Sequence, residues 1–149
     1  MPSHISFKAF TPSNKNACLR IFDANCPTYF AENERADYAA FLENNPEGYD
    51  VCVYNNDIVG AYGLCGSDQE FRELNWILIS PSAQGIGIGH EFLSRAIESA
   101  RSLNLTQIKI AASHLSAPFF AKYGALEICE IPDGWGLGMH RIDMELNLS

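Results

Sequence analysis

The sequence has few features that would favour a nucleic acid, a membrane or a metal ion as its partner. Only 10 of its 149 residues are lysine or arginine, against 18 aspartates and glutamates, so its net charge is −8. Such a charge repels phosphate backbones and anionic lipid headgroups. No stretch reaches the ~18 apolar residues that a membrane-spanning helix needs, and residues 1–10 contain no export signal. We therefore expect neither nucleic-acid binding nor membrane anchoring.

The five cysteines are odd in number, widely scattered and form no Cys-x-x-Cys pair. They lack the spacing of a zinc site or a dithiol redox motif. We expect reduced thiols, no bound metal and a cytoplasmic location. The chain also contains no Gly-x-Ser-x-Gly elbow and no His-Glu-x-x-His motif, which argues against a hydrolase.

The composition, 47% hydrophobic and 19% charged, is that of a globular domain, and we expect one domain spanning residues 1–149. Hydrophobic periodicity and turn residues predict alternating strands and helices, which gives an α/β fold of the mixed α+β kind, with a central mixed β-sheet flanked by helices. The predicted strands are 5–9, 49–54, 58–64, 71–79, 106–111, 126–131 and 142–146, and the predicted helices are 11–22, 31–44, 93–103 and 116–123. Residues 132–138 are predicted to form a glycine-rich loop.

Acidic residues are concentrated between Glu32 and Asp50, where six carboxylates face only Arg35. This pattern has two interpretations. It is typical of a solvated helix face, and it would also attract a cationic molecule.

Three alternate glycines lie between the apolar strand 71–79 and the most strongly periodic helix, in the segment Gln-Gly-Ile-Gly-Ile-Gly at 84–89. Glycines let the backbone approach a ligand closely, and the free amides at a helix N-terminus bind phosphate groups without needing basic side chains. A glycine-rich turn without a ligand is the alternative. A dinucleotide fingerprint would need glycine at His90 or Phe92, and a Walker A loop would need a lysine, yet none lies between Lys15 and Lys109.

The motif Gln84-x-x-Gly87-x-Gly89, preceded by Ile-Ser-Pro at 79–81, resembles the signature of the GNAT (Gcn5-related N-acetyltransferase) superfamily. Residues 113–125 resemble a second family element, Asn-x-x-Ala-x-x-Phe-Tyr-x-Lys-x-Gly-Phe, and match its frame at Phe119, Lys122 and Gly124. The resemblance implies the GNAT acyltransferase fold and transfer of acetyl from acetyl-coenzyme A to an amine by direct attack. It also implies coenzyme contacts at Ile77, Ile79, Gln84, Gly85, Ile86, Gly87, Ile88, Gly89, His90, Ser113 and Phe120.

Phe120 departs from the family pattern, because it stands where the family often has a tyrosine that protonates the departing thiolate. Ser113 likewise replaces the family asparagine, and Ala125 replaces an aromatic residue. Tyr123 is a candidate for the missing acid, although it lies almost on the same helix face as Phe120 and would also suit core packing. The loss of the acid leaves open a second function, that of a non-catalytic sensor of coenzyme A or acyl-coenzyme A.

Glu73 is the candidate general base, because it lies on the strand leading into the glycine loop, eleven residues before Gln84, where histone-acetylating relatives carry a basic glutamate. A carboxylate at the rim of the sheet is the alternative. His114 and His140 lack a partner at a recognisable spacing and rank below it. Asp133 and Trp135 are candidate acceptor-binding residues, although the tryptophan would also pin a mobile glycine loop. The acceptor is expected to be a small-molecule or peptide amine, and the sequence leaves open whether the chain is a monomer or a homodimer.

Overall fold

A seven-stranded sheet with helices on both faces forms the body of the protein in a computed structural model that describes residues 5–148. Residues 1–4 and 149, which the prediction of one domain includes, lie outside the described part. The strands are β1 (Ile5–Ala9), β2 (Tyr49–Tyr54), β3 (Asp57–Cys65), β4 (Phe71–Ile79), β5 (Gln107–Ser113), β6 (Leu126–Gly136) and β7 (Met139–Asn147). The helices are α1 (Lys15–Ala24), α2 (Glu34–Glu43), α3 (Ile88–Ser102) and α4 (Ala117–Ala121).

The strand order across the sheet is β1-β2-β3-β4-β5-β7-β6, and every neighbouring pair is antiparallel except β4 and β5. The parallel pair requires a crossover connection, which α3 supplies. The predicted mixed sheet with flanking helices is therefore confirmed.

Two hydrophobic cores lie on opposite faces of the sheet. The larger contains residues of α3 and α4, including the fully buried Phe92, together with the inward side chains of β4, β5 and β7. The smaller is rich in aromatic residues and packs Phe22 of α1 and Tyr38 of α2 against Tyr49 and Trp76 of the sheet. The two layers fix the end of β4 between α1 and α2 on one side and α3 on the other.

The structure differs from the predicted elements mainly at their ends. The helix predicted from residue 11 begins as a 3-10 turn (Pro12–Asn14) before α1, and residues 31–33 precede α2 rather than belonging to it. The prediction of a loop at 132–138 is wrong, because β6 continues to Gly136. Gly136 still pairs with Met139 of β7. The pairing of the two strands is irregular between Ile131 and Gly136, where Asp133 has a φ of 53°.

Within residues 5–148, no helix combines the length and apolar character needed to cross a membrane.

Candidate functional site

A cleft opens where β4 and β5 separate. The two strands pair from Phe71–Gln107 to Leu74–Ile110, after which β5 continues to pair only with β7. At this point β4 contains a bulge, because Trp76 has a φ of 45° and the register with β3 shifts opposite it. A bulge bends its strand and interrupts the ladder of hydrogen bonds. The second half of β4 therefore turns its backbone toward a gap instead of a neighbouring strand.

Two buried tyrosines hold the bulge. The Tyr49 hydroxyl donates a hydrogen bond to the Trp76 carbonyl oxygen (2.6 Å) and lies 2.9 Å from the Tyr38 hydroxyl. Burial strongly raises the pKa of both tyrosines, which keeps the hydroxyls neutral and able to donate. The carbonyl that the bulge removes from the β-ladder is thus satisfied inside the core, as buried backbone groups must be.

The cleft has a volume of about 480 Å³ and is mostly apolar. One wall is β4 from Leu74 to Ile79, and the opposite wall consists of β5 and the start of α4. Its lining includes Ile77, Ile110, Ser113, Leu115, Phe119 and Phe120. Such a cleft suits a narrow, extended molecule whose amides pair with the free strand edge while its carbon chain contacts the apolar walls.

The glycine loop lies at the end of β4, just before α3. Gly85 (φ 83°) and Gly87 (φ 94°) adopt left-handed conformations, and a Cβ on either would meet no atom within 4 Å. Gly87 caps α3, and the Glu91 amide donates to its carbonyl oxygen (3.1 Å). The amides of the helix's first turn have no intrahelical partner. An anion therefore has both space and donors here. Gly89 instead gives room to Phe119, which a Cβ would approach to 3.0 Å.

Most of the residues assigned to the coenzyme lie around these two features. Ser113 and Phe120 line the cleft with Ile77, Ile79 and Gln84, and residues 85–90 form the loop and first turn of α3. The Ile79 carbonyl oxygen already accepts hydrogen bonds from the side chains of Asn25 (3.0 Å) and Gln84 (3.4 Å). That leaves the backbone of Ile77, next to the bulge, as the freer partner for a ligand amide.

Tyr123 lies beside the loop, outside the cleft lining. Its hydroxyl is 2.9 Å from His90 Nδ1, and its ring packs at 5.3 Å from that of Phe119. Both the packing role and a role as acid remain predictions.

Glu73 is exposed on β4, in register with Cys65 of β3 and Lys109 of β5, and is not part of the cleft lining. Its role as a base stays a prediction. Asp133 also lies outside the cleft lining, and its carboxylate accepts a hydrogen bond from the Gly138 amide (2.7 Å) within the β6–β7 hairpin.

Trp135 does line the cleft. Its indole Nε1 donates to the Ala112 carbonyl oxygen (2.9 Å), and its own carbonyl oxygen accepts a hydrogen bond from Asn33 Nδ2 (2.7 Å). The residue thus connects β5 to the start of α2, across one end of the cleft.

Glu34, the first residue of α2, is a site residue that the sequence did not single out. It is only 5% exposed and lines the cleft, whereas a solvated helix face was one of the two interpretations of its acidic segment. Its Oε2 accepts a hydrogen bond from the Ala31 amide (2.7 Å). Loss of water around the carboxyl raises its pKa to about 7, the Ala31 bond opposes this shift, and Asp37 adds to it. No local pattern would have separated Glu34 from the exposed acids nearby.

Comparisons with known proteins agree with this geometry. The model of the acetyltransferase (GNAT) family matches residues 18–125, whereas no curated protein matches the sequence at a significant level. Solved structures resemble the fold over nearly the whole chain. Ard1 from Thermoplasma volcanium has a TM-score of 0.81 at 14% identity, covering 98% of this chain and 99% of its own.

Two further structures extend the comparison. The ribosomal-protein-S18-alanine N-acetyltransferase from Escherichia coli gives a TM-score of 0.77 at 16% identity, covering 97% of this chain and 94% of its own. An aminoglycoside 6′-N-acetyltransferase solved with coenzyme A gives 0.72 at 14% identity, with 97% of each chain covered. At such identities the likeness concerns the fold.

Proposed function

This chain belongs to the GNAT acetyltransferase family, and we propose that it transfers the acetyl group of acetyl-coenzyme A to a primary amine by direct attack. The acceptor would be a small molecule or a peptide. The observation that carries the proposal is the separation of β4 from β5 directly before a glycine loop at a helix N-terminus. The two features together suit a coenzyme with an extended amide arm and a pyrophosphate.

In this arrangement the pantetheine arm lies in the cleft, pairing with the β4 backbone near Ile77, while the pyrophosphate accepts hydrogen bonds from amides of residues 85–90. The left-handed glycines clear the approach, and the positive end of the α3 dipole stabilises the anion. This explains how a protein with a net charge of −8 can bind a polyanionic coenzyme.

The reaction requires a neutral amine. Its nitrogen lone pair attacks the thioester carbon, a C–N bond forms, the C–S bond breaks and the sulfur leaves with the electron pair. A thiol has a pKa of about 8.5 in water, so its thiolate is a tolerable leaving group without a tyrosine at position 120. Glu73 is proposed to accept a proton only through intervening water, because it lies outside the cleft lining.

The test combines a coenzyme-binding measurement with an acceptor panel. Acetylated product is detected by mass spectrometry after incubation with acetyl-coenzyme A and a series of amines. Gly87→Glu should weaken coenzyme binding by at least about tenfold, because it places a carboxylate where the pyrophosphate binds. Gly138→Glu is the matched control, since Gly138 also has a positive φ (78°) and a Cβ there would likewise meet no atom within 4 Å.

Equal coenzyme affinity in Gly87→Glu and Gly138→Glu would contradict the placement of the pyrophosphate. Coenzyme binding without acetylation of any amine would instead support the sensor function.

A further inference from the structure

Aromatic side chains and one buried carboxyl line the end of the cleft beside α2. Tyr29 and Phe30 from the segment before α2, Trp76 from the β4 bulge and Trp135 from β6 line it, together with Glu34. Phe30 packs at 6.4 Å from Trp76, ring centroid to ring centroid. One carboxylate and four aromatic side chains thus line the same cleft.

The Glu34 carboxylate has one oxygen free to meet a ligand. Oε2 is bonded to the Ala31 amide, whereas Oε1 has no hydrogen-bond partner among the described residues. Yet within residues 5–148 no fully buried side-chain oxygen or nitrogen lacks a partner. Oε1 is therefore not fully buried, although Glu34 as a whole is only 5% exposed, and Glu34 lines the cleft.

Among residues 5–148, no cationic side chain forms an ion pair with this carboxylate. The ion pairs within residues 5–148 involve other acids, and Arg35, next in the chain, binds Asp23. The ionisable groups near Glu34 include Asp37 on its own helix, and Cys26 and Tyr29 in the preceding segment. Strands β4 and β6 contribute Trp76 and Trp135, and the Arg141 guanidinium stacks on the latter at 5.1 Å from the ring centre. The described residues thus supply no counter-charge to the ionised form of Glu34, and a cationic ligand would supply one.

We infer that Glu34 binds the ammonium form of the acceptor and takes its proton, and that the acceptor is a primary amine carried on an apolar body. The inference rests on the proposed acetyl transfer. An ammonium ion is bound well by a desolvated carboxylate and by aromatic faces, and the aromatic walls offer a mostly apolar surface to the rest of the acceptor.

The proton balance is complete. The acceptor enters as R–NH₃⁺, and Glu34 Oε1 takes one proton to leave R–NH₂. The amine attacks the thioester carbon, the C–S bond breaks and the thiolate leaves with the electron pair. The second proton, released from nitrogen as the amide forms, passes to the thiolate or through water to Glu73, and the Glu34 carboxyl loses its proton to solvent before the next cycle. A base with a pKa near 7 is well matched to this task at neutral pH.

The experiment compares wild type, Glu34→Gln and Glu32→Gln with β-phenylethylamine as the acceptor. Glutamine keeps the shape of the side chain and an oxygen for the Ala31 amide, but it cannot accept the proton. Glu32 is exposed in the same segment, so its substitution makes the same charge change outside the cleft. Release of the coenzyme thiol is followed from about pH 5.5 to about pH 9, and acetyl-coenzyme A affinity is measured separately.

We expect wild-type kcat/KM to rise with pH through an apparent pKa near 7. Glu34→Gln should lack this limb and lose about a hundredfold in kcat/KM with coenzyme affinity unchanged, while Glu32→Gln stays within about threefold of wild type. Wild type should also bind β-phenylethylamine more tightly than 2-phenylethanol, a preference that Glu34→Gln abolishes.

A Glu34→Gln variant with wild-type rate and pH profile would overturn the inference, as would one that loses coenzyme binding to the same extent as activity. A wild-type enzyme that acetylates other amines but ignores β-phenylethylamine would overturn the assigned acceptor class alone. Failure to acetylate any amine would overturn the proposed function and this inference with it.

Discussion

Replacing Glu34 with glutamine should stabilise the protein at neutral and alkaline pH. Burial raises the pKa of Glu34 from 4.5 to about 7. Below pH 4.5 the carboxyl is neutral in both the folded and the unfolded chain, so it causes no penalty there. As the pH rises toward 7 the unfolded chain ionises freely while the folded protein resists ionisation. The free energy of unfolding therefore falls over this interval, and the loss is complete above pH 7.

The size of the effect follows from the same pKa. Each tenfold change in proton affinity corresponds to about 1.4 kcal/mol, so the folded protein should lose roughly 3 kcal/mol between pH 4 and pH 8. Glutamine resembles the protonated carboxyl in shape, in its oxygen acceptor for the Ala31 amide and in carrying a donor. The variant should therefore match wild type near pH 4 and exceed it by roughly 3 kcal/mol above pH 8.

Urea denaturation of both proteins at a series of pH values, without coenzyme, measures this difference directly. The control is Glu32→Gln, whose carboxyl is exposed and whose stability should follow that of wild type at every pH. A constant difference between Glu34→Gln and wild type from pH 4 to pH 8 would refute the reasoning. It would mean that the Glu34 carboxyl remains hydrated in the folded protein. Its pKa would then not be raised, and the argument that it takes a proton from an amine would fail.

Three further substitutions test the surrounding assignments. Glu73→Gln should lower the rate of acetyl transfer mainly near neutral pH, and by less than Glu34→Gln does, because the exposed carboxylate could act only through water. An unchanged pH profile would remove Glu73 from the mechanism. Tyr123→Phe should change kcat by no more than about threefold, whereas a hundredfold fall with coenzyme binding intact would make this hydroxyl the acid. Tyr49→Phe should lower the free energy of unfolding in urea by about 1–3 kcal/mol, because it leaves the carbonyl at the β4 bulge unpaired. The control is Tyr54→Phe, since the Tyr54 hydroxyl has no hydrogen bond within residues 5–148, and its free energy of unfolding should change little.

Local sequence patterns predicted the elements whose formation depends on local chemistry. The limits of β2 and β4 were predicted to the residue, because their apolar runs end at turn residues. The predicted strands 49–54 and 58–64 flank Asn55 and Asn56, which have φ values of 52° and 69°, in the left-handed region that asparagine tolerates. The glycine loop was predicted for the same reason, since glycine is the residue that marks left-handed backbone most clearly.

The bulge in β4 could not be predicted in this way. Trp76 has a left-handed φ although nothing in a tryptophan side chain favours it, and such a conformation costs about 1–2 kcal/mol. Contacts with residues distant in the sequence offset this energetic cost. The Tyr49 hydroxyl binds the carbonyl, and the indole packs against Tyr38 at 4.8 Å. A feature that depends on tertiary contacts leaves no periodic signal in its own segment.

Glu34 illustrates the same limit for the chemistry of the site. The acidic segment had two interpretations, a solvated helix face and attraction of a cation, and in the structure Glu32, before α2, and Asp37, on α2, are exposed. Glu34 differs because Trp76 and Trp135 line the cleft beside it, and the second of these is held by Asn33 across 102 residues of sequence. Its pKa is raised by the exclusion of water in the folded protein, so the charge pattern alone cannot reveal it. The same exclusion that destabilises the fold at neutral pH gives the carboxylate the proton affinity that an amine-deprotonating base requires, which is why we expect stability and acetyl transfer to respond in opposite directions to one substitution.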